Sequence, residues 1–179
     1  MNIRPARSDD LDAFFSYLGE HLAENGQSGR PLFQPLAADA SNVSPALVQS
    51  FAQGLTVPFA DRAWRTLWLV WDDTHRVAGH IDLRHTSEPY SGHRVLLGMG
   101  VARAFRRQGV GRSLMQTAMA YCREHDNIVW LDLWVLSGNE AARRLYENCG
   151  FHTLGDIPDK FRIDGQSHGY TLMSQRMAV

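Results

Sequence analysis

One run constrains the fold more than any other: residues 95–114, reading VLLGMGVARAFRRQGVGRSL. An apolar stretch is interrupted by Gly98 and Gly100, a basic turn follows from Arg103 to Arg107, and Gly109-Val110-Gly111 opens a helix. Val110, Leu114, Ala118 and Tyr121 mark one face of that helix. A strand that passes through a glycine-rich turn into a helix builds an anion site. The first helical turn has N–H groups without intrahelical partners, and the helix dipole favours negative charge there. In Arg106-Arg107-Gln108-Gly109-Val110-Gly111 the glycines let backbone amides approach a phosphate, and the arginines add charge and paired donors. A dinucleotide fingerprint would need glycine where Leu114 stands, and a P-loop would need Gly-Lys-Ser/Thr after four residues. Neither fits.

The chain of 179 residues has a formal net charge of −1. That balance gives no general affinity for nucleic acid or an anionic membrane, so the arginine cluster reads as a local site for a small anion. The length predicts one domain, spanning residues 1–179. Cys122 and Cys149 fit neither metal-ligand spacing nor a disulfide framework, and read as buried thiols. The start, MNIRPARSDD, has no apolar signal region, and no apolar run approaches the ~20 residues of a bilayer span. The expected location is the reducing cytoplasm.

Taken in order, residues 2–6 form a short strand, with Pro5 suiting an edge. Ser8 is placed to cap an amphipathic helix over 9–23, carried by Leu11, Phe14, Phe15, Leu18 and Leu22. Residues 24–43 read as a long loop, which in a compact domain is commonly functional. Ser44-Pro45 starts a second helix running to about Thr56. Strands over 64–71, 77–85 and 95–101 make an antiparallel meander. Residues 128–135 form a nearly continuous apolar strand, of the kind buried on both faces. A helix over 139–148 is closed by Gly150. Strands over 151–154 and 169–174 finish the chain, joined by a polar segment with Pro158 and Gly165. The fold class is α/β (α+β): a mixed sheet with helices on its faces.

The segment Asn139-Glu140-Ala141-Ala142-Arg143-Arg144-Leu145-Tyr146-Glu147-Asn148-Cys149-Gly150-Phe151 places Asn139, Ala142 and Tyr146 on one helical face. It resembles the N-x-x-A-x-x-x-Y-x-x-x-G-F pattern of the GNAT superfamily of acyl-CoA N-acyltransferases. R-x-x-G-x-G at Arg106 to Gly111 is similar to that family's acyl-CoA motif, in the expected order. The resemblance covers the whole chain, with its specific motifs between Leu96 and Phe151.

That resemblance implies a mostly antiparallel sheet in which the strands over 95–101 and 128–135 run parallel and splay apart, with acetyl-CoA lying in the opening. Gly98 and Gly100 are expected to mark a bulge or close backbone approach. The implied reaction is attack of a primary amine on the thioester, with acetyl-CoA as co-substrate and no metal. Backbone N–H groups around Met99, Gly100 and Val101 would polarise the carbonyl. Amides of Gln108, Gly109, Val110, Gly111, Arg112 and Ser113, with Arg106 and Arg107, would hold the pyrophosphate. Asn139 and Ala142 would contact the cofactor or a water, and Tyr146 would act as general acid toward sulfur.

For the general base, the residues leave Asp82, His80, Arg84, His85, Glu88, His93, Asp132 or water open. The 24–43 loop, with Arg30 and Phe33, is expected to cover the acceptor pocket together with the 156–168 segment. The acceptor could be a small amine or a protein N-terminus or lysine. A non-catalytic acyl-CoA sensor is the rival reading, and exposed strand edges allow a homodimer.

Overall fold

The computed structural model describes residues 1–27 and 32–177. A strand β1 (Asn2–Pro5) leads into helix α1 (Leu11–Ala23), and α2 (Pro45–Gly54) follows the loop. Then come β2 (Arg65–Trp71), β3 (Val77–His85), β4 (Arg94–Val101), α3 (Val110–Arg123), β5 (Trp130–Leu136), α4 (Glu140–Asn148), β6 (His152–Ile163) and β7 (Gln166–Arg176). The seven strands form one sheet in the order β1-β2-β3-β4-β5-β7-β6. Every neighbouring pair is antiparallel except β4 and β5.

Strand alternation sorts side chains to two faces. Val95, Leu97, Leu131, Leu133 and Val135 pack under α3 and α4, with Leu114, Met115 and Tyr146 in the same buried cluster. Leu67 and Leu69 face the other way and join Phe14, Leu18 and Leu22 of α1 and Phe51 of α2. Helices therefore lie on both faces, as expected. Among the described residues, no helix is long and apolar enough to cross a membrane.

Helix starts follow local chemistry with one exception. The Ser44 side chain accepts from the Leu47 N–H at 3.2 Å, with Pro45 at the first helical position. Ser8 makes no such bond; it begins a short 3-10 turn instead. Asp10 precedes α1 without a side-chain bond into it and reaches back instead, accepting the Arg7 N–H at 2.7 Å and two Arg4 guanidinium N–H groups at 2.7 Å. The loop after α1 is organised by the buried Asn25 amide. It donates to Gln34 O, Leu36 O and Ser41 Oγ, and accepts from the N–H groups of Phe33 and Gln34. Phe33 lies against His21, with ring centroids 4.6 Å apart. Arg30, expected to share that covering role, lies outside the described residues.

The last hairpin departs from expectation. The polar segment is not a loop: β6 and β7 pair from His152↔Ser174 to Ile163↔Gln166. Register shifts between Thr153 and Gly155 and between Ile157 and Phe161 make room for Pro158 without a ladder N–H. Asp164 and Gly165, with φ of 49° and 76°, form the two-residue turn. Every residue from His152 to Lys160 is exposed, so this edge strand carries no apolar alternation to reveal it.

Candidate active site

The parallel pair β4 and β5 is joined over only three rows, Arg94↔Trp130, Val95↔Leu131 and Leu96↔Asp132, and then opens into a fork. A clamp holds the closed end. Arg94 donates from Nε and Nη2 to the two Asp132 oxygens at 2.7 and 2.6 Å, and Ser174 Oγ donates to Asp132 at 2.5 Å. The Arg94 guanidinium also lies over the Trp130 ring, 4.8 Å from its centroid.

Backbone direction inside the fork follows from one bond. Ala102 N–H donates to Ala78 O at 2.9 Å, and alternate residues of an antiparallel strand turn both backbone groups to the same side. The β3–β4 ladder runs from Gly79↔Val101 to His85↔Val95 without a shift. Gly98 and Gly100 therefore bond to β3, while Met99 and Val101 aim N–H and C=O into the opening. The Val101 carbonyl accepts from Arg106 Nε at 3.0 Å. The unbroken register also corrects the expectation of a bulge in this ladder. The two glycines serve close approach instead. A Cβ on Gly98 would stand 2.6 Å from Asp82 Oδ1, and one on Gly100 would stand 2.7 Å from His21 Nε2 and 2.8 Å from His80 Cε1.

At the open end, β4 runs into α3. Among the described residues, no backbone acceptor takes the N–H groups from Arg107 to Arg112, and the first helical bond is Ser113 N–H to Gly109 O at 3.0 Å. Arg107 and Gly109 have φ of 61° and 85°, a backbone of the kind that gathers amides around an anion. Arg107, Gln108, Gly109, Val110, Gly111 and Arg112 thus present N–H groups without a backbone acceptor at the place where the sequence leads us to expect an anion site. Ser113 is corrected: its amide is used by the helix. The Arg106 guanidinium, also expected at the anion site, pairs with Glu24 Oε2 at 2.8 Å and with the Val101 carbonyl. The Gln108 side chain donates to Ala104 O at 2.7 Å and stabilises the turn. A Cβ on Gly111 would lie 3.0 Å from Leu145 Cδ2 and 3.5 Å from Met99 Cε, so this glycine lets α3 pack against α4 and β4.

Helix α4 brings up the remaining residues. Asn139 is its N-cap, accepting the Ala142 N–H at 3.3 Å. Tyr146 is the buried residue of α4 and packs with Leu133, Val135 and Met99 in the cluster behind the fork. Burial holds its phenol above the usual tyrosine range, with smaller contributions from Cys149 and Tyr170, so the hydroxyl keeps its proton. Burial likewise pushes the Cys122 thiol up to about 12, and both cysteines are free, Cys149 being half-buried.

The structure separates the base candidates. His85, Glu88 and His93 sit at or beyond the closed end of the sheet. His85 pairs with Val95, roughly 13 Å from Met99 at ~3.3 Å per residue, and Glu88 and His93 lie in the turn beyond it. His85 Nε2 donates to Phe59 O at 2.6 Å, so its ring is part of an aromatic corner with Phe59 and Trp64. Asp132 is committed to the clamp. These four are removed as bases.

Asp82, Arg84 and His80 do lie over β4. Asp82 Oδ2 pairs with Arg65 at 3.2 Å and Arg84 at 3.0 Å. His80 is buried, and its Nδ1 lies 3.1 Å from the Tyr17 hydroxyl. Burial lowers His80 to about 3, and burial aided by Arg106 lowers His21 to about 4, so both rings are neutral near pH 7. Burial raises Tyr17, which stays protonated. Tyr17 and His21 are missing from the sequence reading. Their signal is a polar-tipped pair at i and i+4 within the apolar stripe of α1, with rings stacked 5.8 Å apart. Trp134 is also new: it faces the open side of the fork, 37% exposed, stacked on Tyr170 at 4.9 Å.

Comparison with known proteins agrees with this geometry. The family model "Acetyltransferase (GNAT) family" matches residues 41–151. N-alpha-acetyltransferase 60 of Xenopus tropicalis is 35% identical over 72 residues, which cover 39% of this chain and 30% of that protein. The N-terminal acetyltransferase A complex catalytic subunit ard1 of Schizosaccharomyces pombe is 24% identical over 169 residues, covering 93% of this chain and 81% of that one. An acetyltransferase of the GNAT family from Streptococcus pneumoniae superposes with a TM-score of 0.80 at 18% identity, covering 99% of both chains, and so shares the fold. With the forked β4–β5 pair, the amide-rich start of α3 and a family match over most of the chain, the protein belongs to the GNAT acetyltransferase family and is an N-acyltransferase that uses acetyl-CoA.

Proposed function

We propose that the chain acetylates a primary amine by direct attack on the thioester of acetyl-CoA, with Tyr146 as the acid that protonates the departing sulfur. The observation that carries this reading is the fork itself. Met99 turns its N–H into the opening, the free amides of 107–112 stand at its open end, and a protonated phenol is buried behind it. The Met99 N–H is placed to donate to the carbonyl oxygen as it gains negative charge. The amides from Arg107 to Arg112 and the start of α3 hold the pyrophosphate, and the Asn139 cap fixes the start of the helix that carries Tyr146.

The amine must attack neutral, and an ordinary lysine-like amine has a pKa near ~10.4. Its nitrogen forms the new C–N bond, the C–S bond breaks, the sulfur takes the Tyr146 proton, and the nitrogen's proton leaves to water on the open face. That water returns the phenol's proton, so the products are the acetylated amine and coenzyme A. The names of the two curated relatives favour an α-amino group as acceptor.

The test is Tyr146→Phe assayed for coenzyme A release over an amine panel. We expect kcat to fall about 10²-fold with the KM for acetyl-CoA within about twofold. A kcat within threefold of the parent enzyme removes the acid role. Binding of acetyl-CoA with no turnover of any amine would instead favour the sensor reading.

A further inference from the structure

Resting on the reading above, the charges around Gly98 say something about the acceptor. On the face of the sheet away from α3, strand register lines up Asp82 of β3, Gly98 of β4 and, across the fork, Trp134 and Leu172. Arg65 and Arg84 both pair with the same Asp82 oxygen. Within this trio two guanidiniums on one carboxylate leave one positive charge over, and His80, next to Asp82 and Arg65, is neutral.

The two arginines are not equivalent. The Arg65 side chain is 10% exposed and lies on the Phe51 ring at 3.9 Å, covered by α2. The Arg84 side chain is 35% exposed and leans along its strand toward the fork, its Nη1 3.1 Å from the place a Gly98 Cβ would take. Among the described residues only one Arg84 nitrogen is used, by Asp82 Oδ2. Asp82 Oδ1 has no hydrogen-bond donor among the described residues and lies 2.6 Å from that same missing Cβ. The far wall is aromatic: Trp134 stacked on Tyr170, with Phe161 edge-on to Tyr170 at 5.1 Å. An unbonded carboxylate oxygen and an under-used guanidinium thus stand side by side over a bare glycine, where the fork opens and an amine must enter.

We propose that the acceptor is a free α-amino acid, its carboxylate bound by Arg84, its amine received beside Asp82 Oδ1, and its side chain packed on Trp134. Charge complementarity is the reason. A simple polyamine would bring positive charge to a site that already has an excess, whereas an α-carboxylate neutralises it and sits a fixed distance from the reacting nitrogen. A guanidinium and a carboxylate also make the stronger, charge-assisted class of hydrogen bond.

The experiment compares matched acceptors (glycine, leucine, phenylalanine, methionine and glutamate against their α-carboxamides) in the parent enzyme and in Arg84→Gln. Asp82 keeps Arg65 in that variant, so the fold is retained. We expect at least about tenfold higher kcat/KM for the best amino acid than for its amide. Arg84→Gln should erase that ratio through KM, with the KM for acetyl-CoA unchanged. In parallel, calorimetry on the coenzyme A-loaded protein with N-acetyl amino acids and their amides reads the same preference without turnover. Equal handling of acid and amide in both measurements overturns the proposal, as does a preference that survives Arg84→Gln, or a neutral peptide that outcompetes every amino acid. If the amide ratio is absent from binding while amines are still acetylated, this inference fails and the transferase reading stands. If no amine is acetylated but the carboxylate preference appears in binding, the reverse holds.

Discussion

Replacing Asp132 by alanine should loosen the fork at the point where it closes. The Asp132 side chain is 7% exposed and meets Arg94, at 27% exposure, in a two-bond pair of 2.7 and 2.6 Å, with Ser174 completing the set. Removing the carboxylate strands a largely covered guanidinium and an unpartnered hydroxyl. Breaking a buried pair from one side costs about 3–5 kcal/mol. Because Arg94 reaches some solvent and keeps its place over Trp130, the low end applies, about 3 kcal/mol. In a chain of this length that lowers Tm by roughly 6–12 °C. Row Leu96↔Asp132 is also the last joined row before the strands part, so the opening should widen. The KM for acetyl-CoA should rise severalfold while the Tyr146-dependent step is little changed. Urea melts with unchanged m, together with initial rates against acetyl-CoA, measure both effects. A loss under about 1 kcal/mol, the range of an exposed surface pair, would refute the clamp, and intact stability with raised KM would refute the coupling.

Two further outcomes follow from packing and charge. His21 and His80 are held neutral in the fold, at about 4 and about 3, against an ordinary value of 6.5. The unfolded chain therefore binds the extra protons, and stability is full above pH 6.5 and falls as pH drops toward 4. Each ring accounts for roughly 2–3 kcal/mol of loss by pH 4.5. Urea midpoints between pH 7.5 and 4.5 should show this decline, and a flat profile would contradict the burial of the pair. Gly111→Val should separate α3 from α4, because even a Cβ meets Leu145 at 3.0 Å. The expected cost is about 1–3 kcal/mol, with at least a tenfold rise in the KM for acetyl-CoA; an unchanged KM in titrated initial rates would show that the helix pair does not set the amide cradle.

The legible and the illegible parts differ in the range of the interactions that make them. The turn from Arg103 to Gly111 and the helix with Asn139 and Tyr146 are local: caps, positive φ and helical spacing lie within a dozen residues, so the sequence shows them. β6 was not legible past Leu154, because an edge strand exposed on both faces needs no apolar alternation, although Asp164-Gly165 did carry a hairpin signal. The base candidates could not be sorted at all from spacing. Asp82, His85 and His93 are near neighbours in sequence, yet the meander puts Asp82 at the fork and the two histidines at or beyond the closed end of the sheet. The purpose of Gly98 and Gly100 was hidden for the same reason. What they make room for, Asp82 and the His21–His80 pair, comes from β3 and from α1, a helix some eighty residues earlier.

Topology also explains why one half of one sheet face is left without a helix. The passage from β4 through α3 to the parallel β5 is a crossover, and such connections take one hand, which places α3 on the face that holds Leu97 and Leu133. α4 joins it there. α1 and α2 enter before β2 in the chain and cover the opposite face over β2 and β3, as far as His21 above Gly100. No described helix remains to cover that face from Gly98 across β5 to β7, and Trp134 there is 37% exposed. On the proposed reading the donor is held chiefly by backbone N–H groups, a device that many side chains can support. On the proposal above, an acceptor there would meet Arg84, Asp82, Trp134 and Tyr170, side chains that any change of substrate would have to alter. The proposal therefore puts acceptor selectivity on the bare half-face.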